Sequence, residues 1–359
     1  MRQITAYAAV LHSVREAASR IAPYAHRTPV MTCLTIDELA GCRLYFKCEL
    51  FQKTGSFKFR GACNAVMKLS DEEAQRGVVT HSSGNHAQAL ALAAKLRGCQ
   101  VHIVMPRTAS PIKRQSVEGY GGKIYLCEPT LAARESMAAE LAEQTGAVMI
   151  PPYDHPDIIA GQGTAALELL EQIAAQEGEP LPPLRREGRE VGDDPHPSPL
   201  PGREREFALD AIIAPIGGGG LISGTCITAK AINPNIHIFA AEPAGADDAA
   251  RSLAAGRLIP QTNPNTICDG LLTSLGELTW PIVRDHVQRI ITVDDEKIIA
   301  AMRLIWQRMK LIIEPSAAVA VAAVLSDEFK SLPLGSSPTS GGVGVILSGG
   351  NSDLDHLPW

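Results

Sequence analysis

The chain of 359 residues corresponds to about two domains at ~150 residues each, ample for a buried core. With 33 Lys and Arg against 39 Asp and Glu, a net charge of −6, and 45% apolar against 20% charged residues, the composition is that of an ordinary globular protein. No stretch supplies the clustered positive face that a nucleic acid or a membrane surface selects, which argues against both and favours a small neutral or zwitterionic partner.

In chain order, β-rich runs alternate with segments of helical spacing. A strand over 44–50 precedes a helix over 59–69, and strands over 78–80, 101–105, 123–127 and 147–150 are separated by helices over 87–96, 112–120 and 131–143. A second set follows: helix 164–175, strand 210–216, helix 221–232, strands 237–241 and 289–293, helices 295–311 and 316–325, and strand 343–347. Strands separated by helices predict parallel βαβ units. The expectation is an α/β fold of two doubly wound parallel-sheet domains, the smaller (77–152) inserted into the larger (1–76 and 153–359), with a ligand cleft between them.

The stretch 177–206 breaks the rhythm. Its thirty residues hold seven prolines, thirteen charged residues and four apolar ones. That composition cannot offset ordering entropy, so an exposed, disordered loop is expected. The eight cysteines are scattered, with no two as close as CxxC, so neither a zinc ribbon nor a dithiol motif can be read. Without a secretory signal pattern, a reduced, cytoplasmic compartment is expected. The apolar run 317–325 is about half of the ~20 residues that span a bilayer, and reads as a buried helix.

Four segments place small or polar residues where a strand hands over to a helix, the edge at which open parallel sheets bind ligands. In Thr54-Gly55-Ser56-Phe57-Lys58, a lysine at a helix start meets the positive end of the helix dipole. That favours a neutral, nucleophilic amine suited to Schiff-base chemistry. In Thr80-His81-Ser82-Ser83-Gly84-Asn85-His86, side chains and backbone N–H groups at a helix start can hold an anion such as a carboxylate. The same residues also read as a capping turn using Ser83 or Asn85. Gly217-Gly218-Gly219-Gly220 lets successive amides converge on a phosphate, and the Leu221 and Ile222 that follow exclude a nucleotide P-loop. Ser348, in Leu347-Ser348-Gly349-Gly350-Asn351, closes the last strand and points toward the cleft. A lysine for a Schiff base, a glycine cradle for a phosphate and polar turns for a carboxylate together describe pyridoxal phosphate with an amino-acid substrate.

On these residues the chain resembles the fold-type II (tryptophan synthase β-like) pyridoxal-phosphate family that includes serine racemases and serine/threonine dehydratases. The phrases that carry the resemblance are CELFQKTGSFKFRGACNAV (48–66), THSSGNHAQAL (80–90), IAGQGTAALE (159–168), PIGGGG (215–220), AAEPAGADD (240–248), RMKLIIEPSAAVAVAAVL (308–325) and LSGGN (347–351). Their order and spacing hold over nearly the whole chain, apart from 177–206. The resemblance implies Lys58 as the Schiff-base lysine, Phe57 against the cofactor ring, Asn85 on its phenolic oxygen, Gly217 to Gly220 on its phosphate and Ser348 on its ring nitrogen. It implies that Lys58 takes the Cα proton on one face while Ser83 returns one on the other. Ser82, Ser83, Asn85 and His86 would meet the substrate carboxylate, with Arg134 nearby. Glu242, Ala246 and Asp248 match a site for Mg²⁺ or Ca²⁺. Lys53, Thr54, Gln88, Tyr120, Lys297 and Asn351 match positions for ATP as an effector, while Cys33 and Leu34 depart from that pattern. The segment Pro151-Pro152-Tyr153-Asp154-His155-Pro156 is similar to microbial dehydratases and fungal racemases. The activity implied is racemisation of serine with dehydration to pyruvate and ammonia, in a homodimer. The alternatives are a threonine or threo-3-hydroxyaspartate ammonia-lyase and, in another class, a cofactor-binding protein without turnover.

Overall fold

A computed structural model of the chain describes residues 7, 9–82, 84–109, 111–176, 209–333 and 341–359. Ser83 and the stretch 177–206 lie outside these described residues.

The described strands are β1 (Val30–Met31), β2 (Leu44–Cys48), β3 (Val78–His81), β4 (Val101–Pro106), β5 (Lys123–Cys127), β6 (Val148–Met149), β7 (Leu209–Pro215), β8 (His237–Pro243), β9 (Arg289–Val293) and β10 (Gly342–Leu347). They form a six-stranded sheet in the order β1-β2-β10-β7-β8-β9 and a four-stranded sheet in the order β5-β4-β3-β6. Every pairing is parallel except the short β1 on β2. Continuous burial explains the pairing: all of β2 and β10 is buried, as parallel strands covered on both faces must be.

The connections are helical because parallel neighbours need long crossovers. In chain order they are α1 (Leu11–Ile21), α2 (Leu34–Ala40), α3 (Lys58–Lys68), α4 (Asp71–Arg76), α5 (Asn85–Arg97), α6 (Pro111–Gly119), α7 (Leu131–Thr145), α8 (Pro156–Gln176), α9 (Gly220–Ile232), α10 (Asp248–Ala255), α11 (Thr279–His286), α12 (Asp295–Met309), α13 (Pro315–Val324) and α14 (Asp327–Lys330). The run 317–325 is, as expected, a buried helix: α13 starts on a favourable proline and exposes no apolar face. Helix α12 stops at Met309 because Lys310 adopts φ 59°, the left-handed conformation that ends helices. Among the described residues, no helix is long and apolar enough to cross a membrane, and all eight cysteines are free thiols.

Helices α3 and α8 fix the position of Lys58. A Cβ on Gly161 would lie 2.6 Å from the Gly61 Cα, so only glycine lets the two backbones approach this closely. Beside that contact, Arg60 is fully buried, and its guanidinium donates to Glu49 at 2.7 and 2.8 Å and to Glu168 at 2.9 Å twice. The buried Lys47 ammonium donates to Glu168 at 2.8 Å as well. Each buried charge is thus paired and hydrogen-bonded, which removes most of the desolvation cost.

Candidate active site

A cavity of about 450 Å³ lies where the strands of the two sheets end. Its walls include Phe57 and Lys58 at the start of α3, Ser82, Asn85 and His86 around the start of α5, Gly217 to Gly220 between β7 and α9, Ser348 after β10, and Arg134 on α7. Segments read separately in the sequence therefore share one space. Ser83 lies outside the described residues, but both chain neighbours, Ser82 and Gly84, line the cavity.

Lys58 is the first residue of α3 and half-buried. Its Nζ donates to the Pro152 carbonyl oxygen at 2.8 Å and sits 5.1 Å from the Phe57 ring centroid. Burial lowers its pKa from 10.5 to about 8, and Glu314 opposes this only when it is ionised. About a tenth of the amine is then neutral at pH 7, a form that can act as nucleophile or base. The Phe57 N–H donates to the Ser348 carbonyl oxygen at 3.0 Å, tying the lysine turn to the end of β10.

The glycine loop can take a phosphate. Among the described residues, no acceptor meets the backbone N–H of Gly217, Gly218 or Gly219. Such amides at a helix start form an anion cradle. A side chain would also fill the cradle: a Cβ on Gly218 would lie 2.3 Å from the Tyr153 ring, and Gly219 has φ +88°. These residues fit the phosphate of pyridoxal phosphate.

Asn85 is the first residue of α5; Gly84 is the N-cap, with no side-chain cap, so the capping role weighed for Asn85 is not found. Its amide is held on both sides instead. Nδ2 donates to the Glu314 carboxyl at 2.8 Å, and Oδ1 accepts from Asn351 at 2.8 Å. Glu314 is buried and its pKa is pushed up to about 8, chiefly by burial and then by Asp269, so it is protonated at neutral pH. His86 is buried, and its Nε2 sits 3.1 Å from the Ile150 carbonyl oxygen. That oxygen can only accept, so Nε2 carries the proton and the unpartnered Nδ1 carries none. Burial and then the Lys58 charge push the His86 pKa down to about 3, which keeps the ring neutral. Opposite them, Lys113 of α6 pairs with Asp269, joining the two sheets' sides of the cavity.

The other expected residues stand outside the cavity wall. Glu242, at the end of β8, accepts the N–H groups of Ala249 and Ala250 at 3.0 and 2.9 Å. Asp248, the first residue of α10, accepts the Leu275 N–H at 3.2 Å, while its Oδ1 is buried without a partner. Ala246 is the buried residue of the otherwise exposed turn between them, 244–246. Among the described residues, no three His, Cys, Asp or Glu side chains converge as a ligand set. Two carboxylates close enough to influence each other, one with an unmatched oxygen, are nevertheless hard donors of the kind that Mg²⁺ or Ca²⁺ takes.

Of the remaining six positions, Asn351 donates to the Thr54 carbonyl oxygen at 2.8 Å, Lys53 lies 5.9 Å from the Phe59 ring, and Gln88 follows Asn85 on α5. Tyr120 packs on the core of the four-stranded sheet, and Lys297 pairs with Asp294 at 3.4 Å. No described hydrogen bond or ion pair links Tyr120 or Lys297 to Thr54 or Asn351.

Glu314, Tyr153 and Lys113 were given no role in the sequence reading. Glu314 and Tyr153 stand inside quoted phrases, but their placement depends on partners far along the chain. The separation of Asn85 and Glu314 is 229 residues.

Comparison with known proteins matches residues 21–181 and 203–349 to the family described as pyridoxal-phosphate dependent enzyme. The serine racemase of Oryza sativa subsp. indica is 49% identical over 351 residues, covering 98% of this chain and 93% of that protein. The beta-hydroxyaspartate dehydratase of Paracoccus denitrificans is 44% identical over 340 residues, covering 95% of each. The solved structure of maize serine racemase superposes with a TM-score of 0.85 at 49% identity, covering 97% of this chain and 95% of that one.

Proposed function

Because the chain belongs to the pyridoxal-phosphate dependent enzymes, we propose that it interconverts L- and D-serine and also dehydrates serine to pyruvate and ammonia. One observation carries the reading: a half-buried lysine amine, an open glycine cradle and a strand-end serine share a single cavity. The similarity to serine racemases over nearly the whole chain supports it.

Pyridoxal phosphate supplies an aldehyde that takes up amino groups and a ring that draws electron density from the adjoining carbon. Lys58 would hold it covalently, Gly217 to Gly220 would grip its phosphate, and Phe57 would cover its ring. Asn85 would donate to the phenolic oxygen, and Ser348 would meet the ring nitrogen. A serine hydroxyl does not hold that nitrogen protonated as a carboxylate would, so loss of a β-hydroxyl competes with racemisation. The substrate carboxylate would rest on Ser82 and Asn85, with Arg134 at the rim, while the neutral His86, whose free Nδ1 only accepts, would face the substrate without donating to the carboxylate. Lys58, a base near neutrality, takes the Cα proton from one face. The Ser83 hydroxyl would return a proton to the other face; its place between two cavity-lining residues supports that role.

Glu242, the Ala246 carbonyl and Asp248 would bind Mg²⁺ or Ca²⁺, supported by the unmatched Asp248 oxygen. Lys53, Thr54, Gln88, Tyr120, Lys297 and Asn351 would meet ATP as an effector. The smaller unit, 77–152, would close on the larger. A homodimer would cover exposed apolar side chains such as Leu34, Phe51 and Ile312. A cytoplasmic setting is supported by the eight free thiols.

The test is Ser83→Ala beside the wild type. D-serine formation should fall by ~10²-fold or more, as removal of a positioned proton donor does, while pyruvate formation persists. Equal loss of both products, or of neither, contradicts the two-face mechanism. The 44% identity to a beta-hydroxyaspartate dehydratase favours a second reading, an ammonia-lyase for 3-hydroxyaspartate or threonine. Faster turnover of those substrates than of serine, without D-serine, would establish it.

A further inference from the structure

The geometry points to Thr279 and Asp154 as positioning residues that turn the glycine cradle's amides toward the phosphate by holding the Gly218 carbonyl out of the cavity. Thr279 is fully buried at the start of α11. Its hydroxyl accepts the Gly276 N–H at 2.9 Å, and its one proton has the Gly218 carbonyl oxygen at 2.9 Å as the nearer acceptor, with the Gly276 carbonyl oxygen at 3.2 Å. No peptide bond in the described chain is cis. In a trans peptide the C=O and the following N–H point in opposite directions. A Gly218 carbonyl tied to Thr279, which is not among the cavity's lining residues, therefore sends the N–H of Gly219, itself a lining residue, the opposite way. Were the peptide free to turn over, a carbonyl oxygen would face the phosphate and repel it.

Asp154 fixes Thr279 in turn. Its carboxylate accepts the N–H groups of Glu277, Leu278 and Thr279 at 3.0, 2.9 and 3.1 Å, an arrangement that anchors the first turn of α11. The neighbouring Tyr153 lays its ring against Gly218, and a Cβ on Gly219 would lie 2.8 Å from Thr279. The loop is thus clamped by Tyr153 and by Thr279. This adds a task to the Pro151–Pro156 segment, whose Pro152 carbonyl also holds the Lys58 amine.

The inference rests on the reading of Gly217 to Gly220 as the phosphate cradle, and the experiment separates the two. The full chain is reconstituted with pyridoxal phosphate or with pyridoxal, which has the same aldehyde and no phosphate, and the two dissociation constants are compared. Wild type should prefer the phosphorylated form. Thr279→Val, which removes the hydroxyl at nearly constant shape, should reduce that preference about tenfold while leaving pyridoxal affinity unchanged. Thr279→Ser should restore it to within about twofold, and Asp154→Asn should reduce it in the same sense, giving the same readout if the valine variant does not fold. Full preference retained in both Thr279→Val and Asp154→Asn, or equal weakening of both ligands, overturns the inference and leaves the cradle standing. A wild type that does not distinguish the two ligands overturns both.

Discussion

At Gly218 even one methyl group is too many, since a Cβ would lie 2.3–2.5 Å from three carbons of the Tyr153 ring. Gly218→Ala should therefore displace that ring and weaken pyridoxal phosphate binding by about tenfold or more; unchanged affinity in a fluorescence titration would contradict the close fit. Glu314 carries a different signature. Its carboxyl, pushed up from 4.5 to about 8 by burial and Asp269, stays protonated where an unfolded glutamate has ionised. Between those values the folded protein binds one more proton than the unfolded chain, so stability is full below about 4.5 and falls as pH rises to about 8. His86 acts in the opposite sense, between about 3 and 6.5, where the unfolded chain binds the extra proton. From about 6.5 to 8 Glu242, also raised to about 8 by burial, acts in the same sense, so the Glu314 part is read as the difference between variant and wild type. Across that interval Glu314→Gln, which keeps an acceptor for Asn85, should gain about 2 kcal/mol on wild type in urea unfolding. A difference that does not change with pH would contradict a protonated Glu314. Lys58 and the four glycines were legible in the sequence because their chemistry resides in residue type and local order. Glu314 was not, because its state depends on burial against Asn85, far away in the chain.

Among the elements, α3 depends on its buried charges more than on helix propensity. Arg60, two residues beyond Lys58, pairs with Glu49 and with Glu168, which it shares with Lys47, so the cluster that stabilises α3 also sets the position of Lys58. Removing one partner leaves uncompensated buried charge. Arg60→Ala should cost about 3–5 kcal/mol in denaturant unfolding. A loss under about 1 kcal/mol would show that the carboxylates find other partners. Most elements were readable from periodicity, and their ends less so. Helix α8 begins at Pro156, earlier than the expected 164, because the glycines of 159–163 lower helix propensity while permitting the contact with α3. Helix α1 was missed, although Leu11, Val14, Ala17 and Ile21 form a buried stripe: its flanks carry no side-chain cap to mark it. The 70–76 turn of helix was passed over despite a Ser70–Glu73 capping box, because six residues give too short a period.

For the whole molecule, alternation of strand and helix was enough to give two parallel sheets, and the expected smaller unit, 77–152, contains the four strands β3 to β6 of the second sheet. Alternation could not give the strand order. β10 pairs with β2 across nearly 300 residues, a contact that no local pattern records, and that pairing brings Ser348 to the lysine turn. The cavity thus arises from chain crossings as much as from motifs: Lys58 and Ser348 meet through β2 and β10, and Lys113 meets Asp269 from the other sheet's side. The central claim is that the Lys58 amine, and no other, holds pyridoxal phosphate covalently in this cavity. Borohydride reduction of the reconstituted full chain, followed by peptide mass mapping, tests it most directly. The pyridoxyl group should be found on the peptide that contains Lys58, and Lys58→Ala should leave the protein unlabelled. Label on a different lysine, or equal labelling of the variant, would contradict the claim.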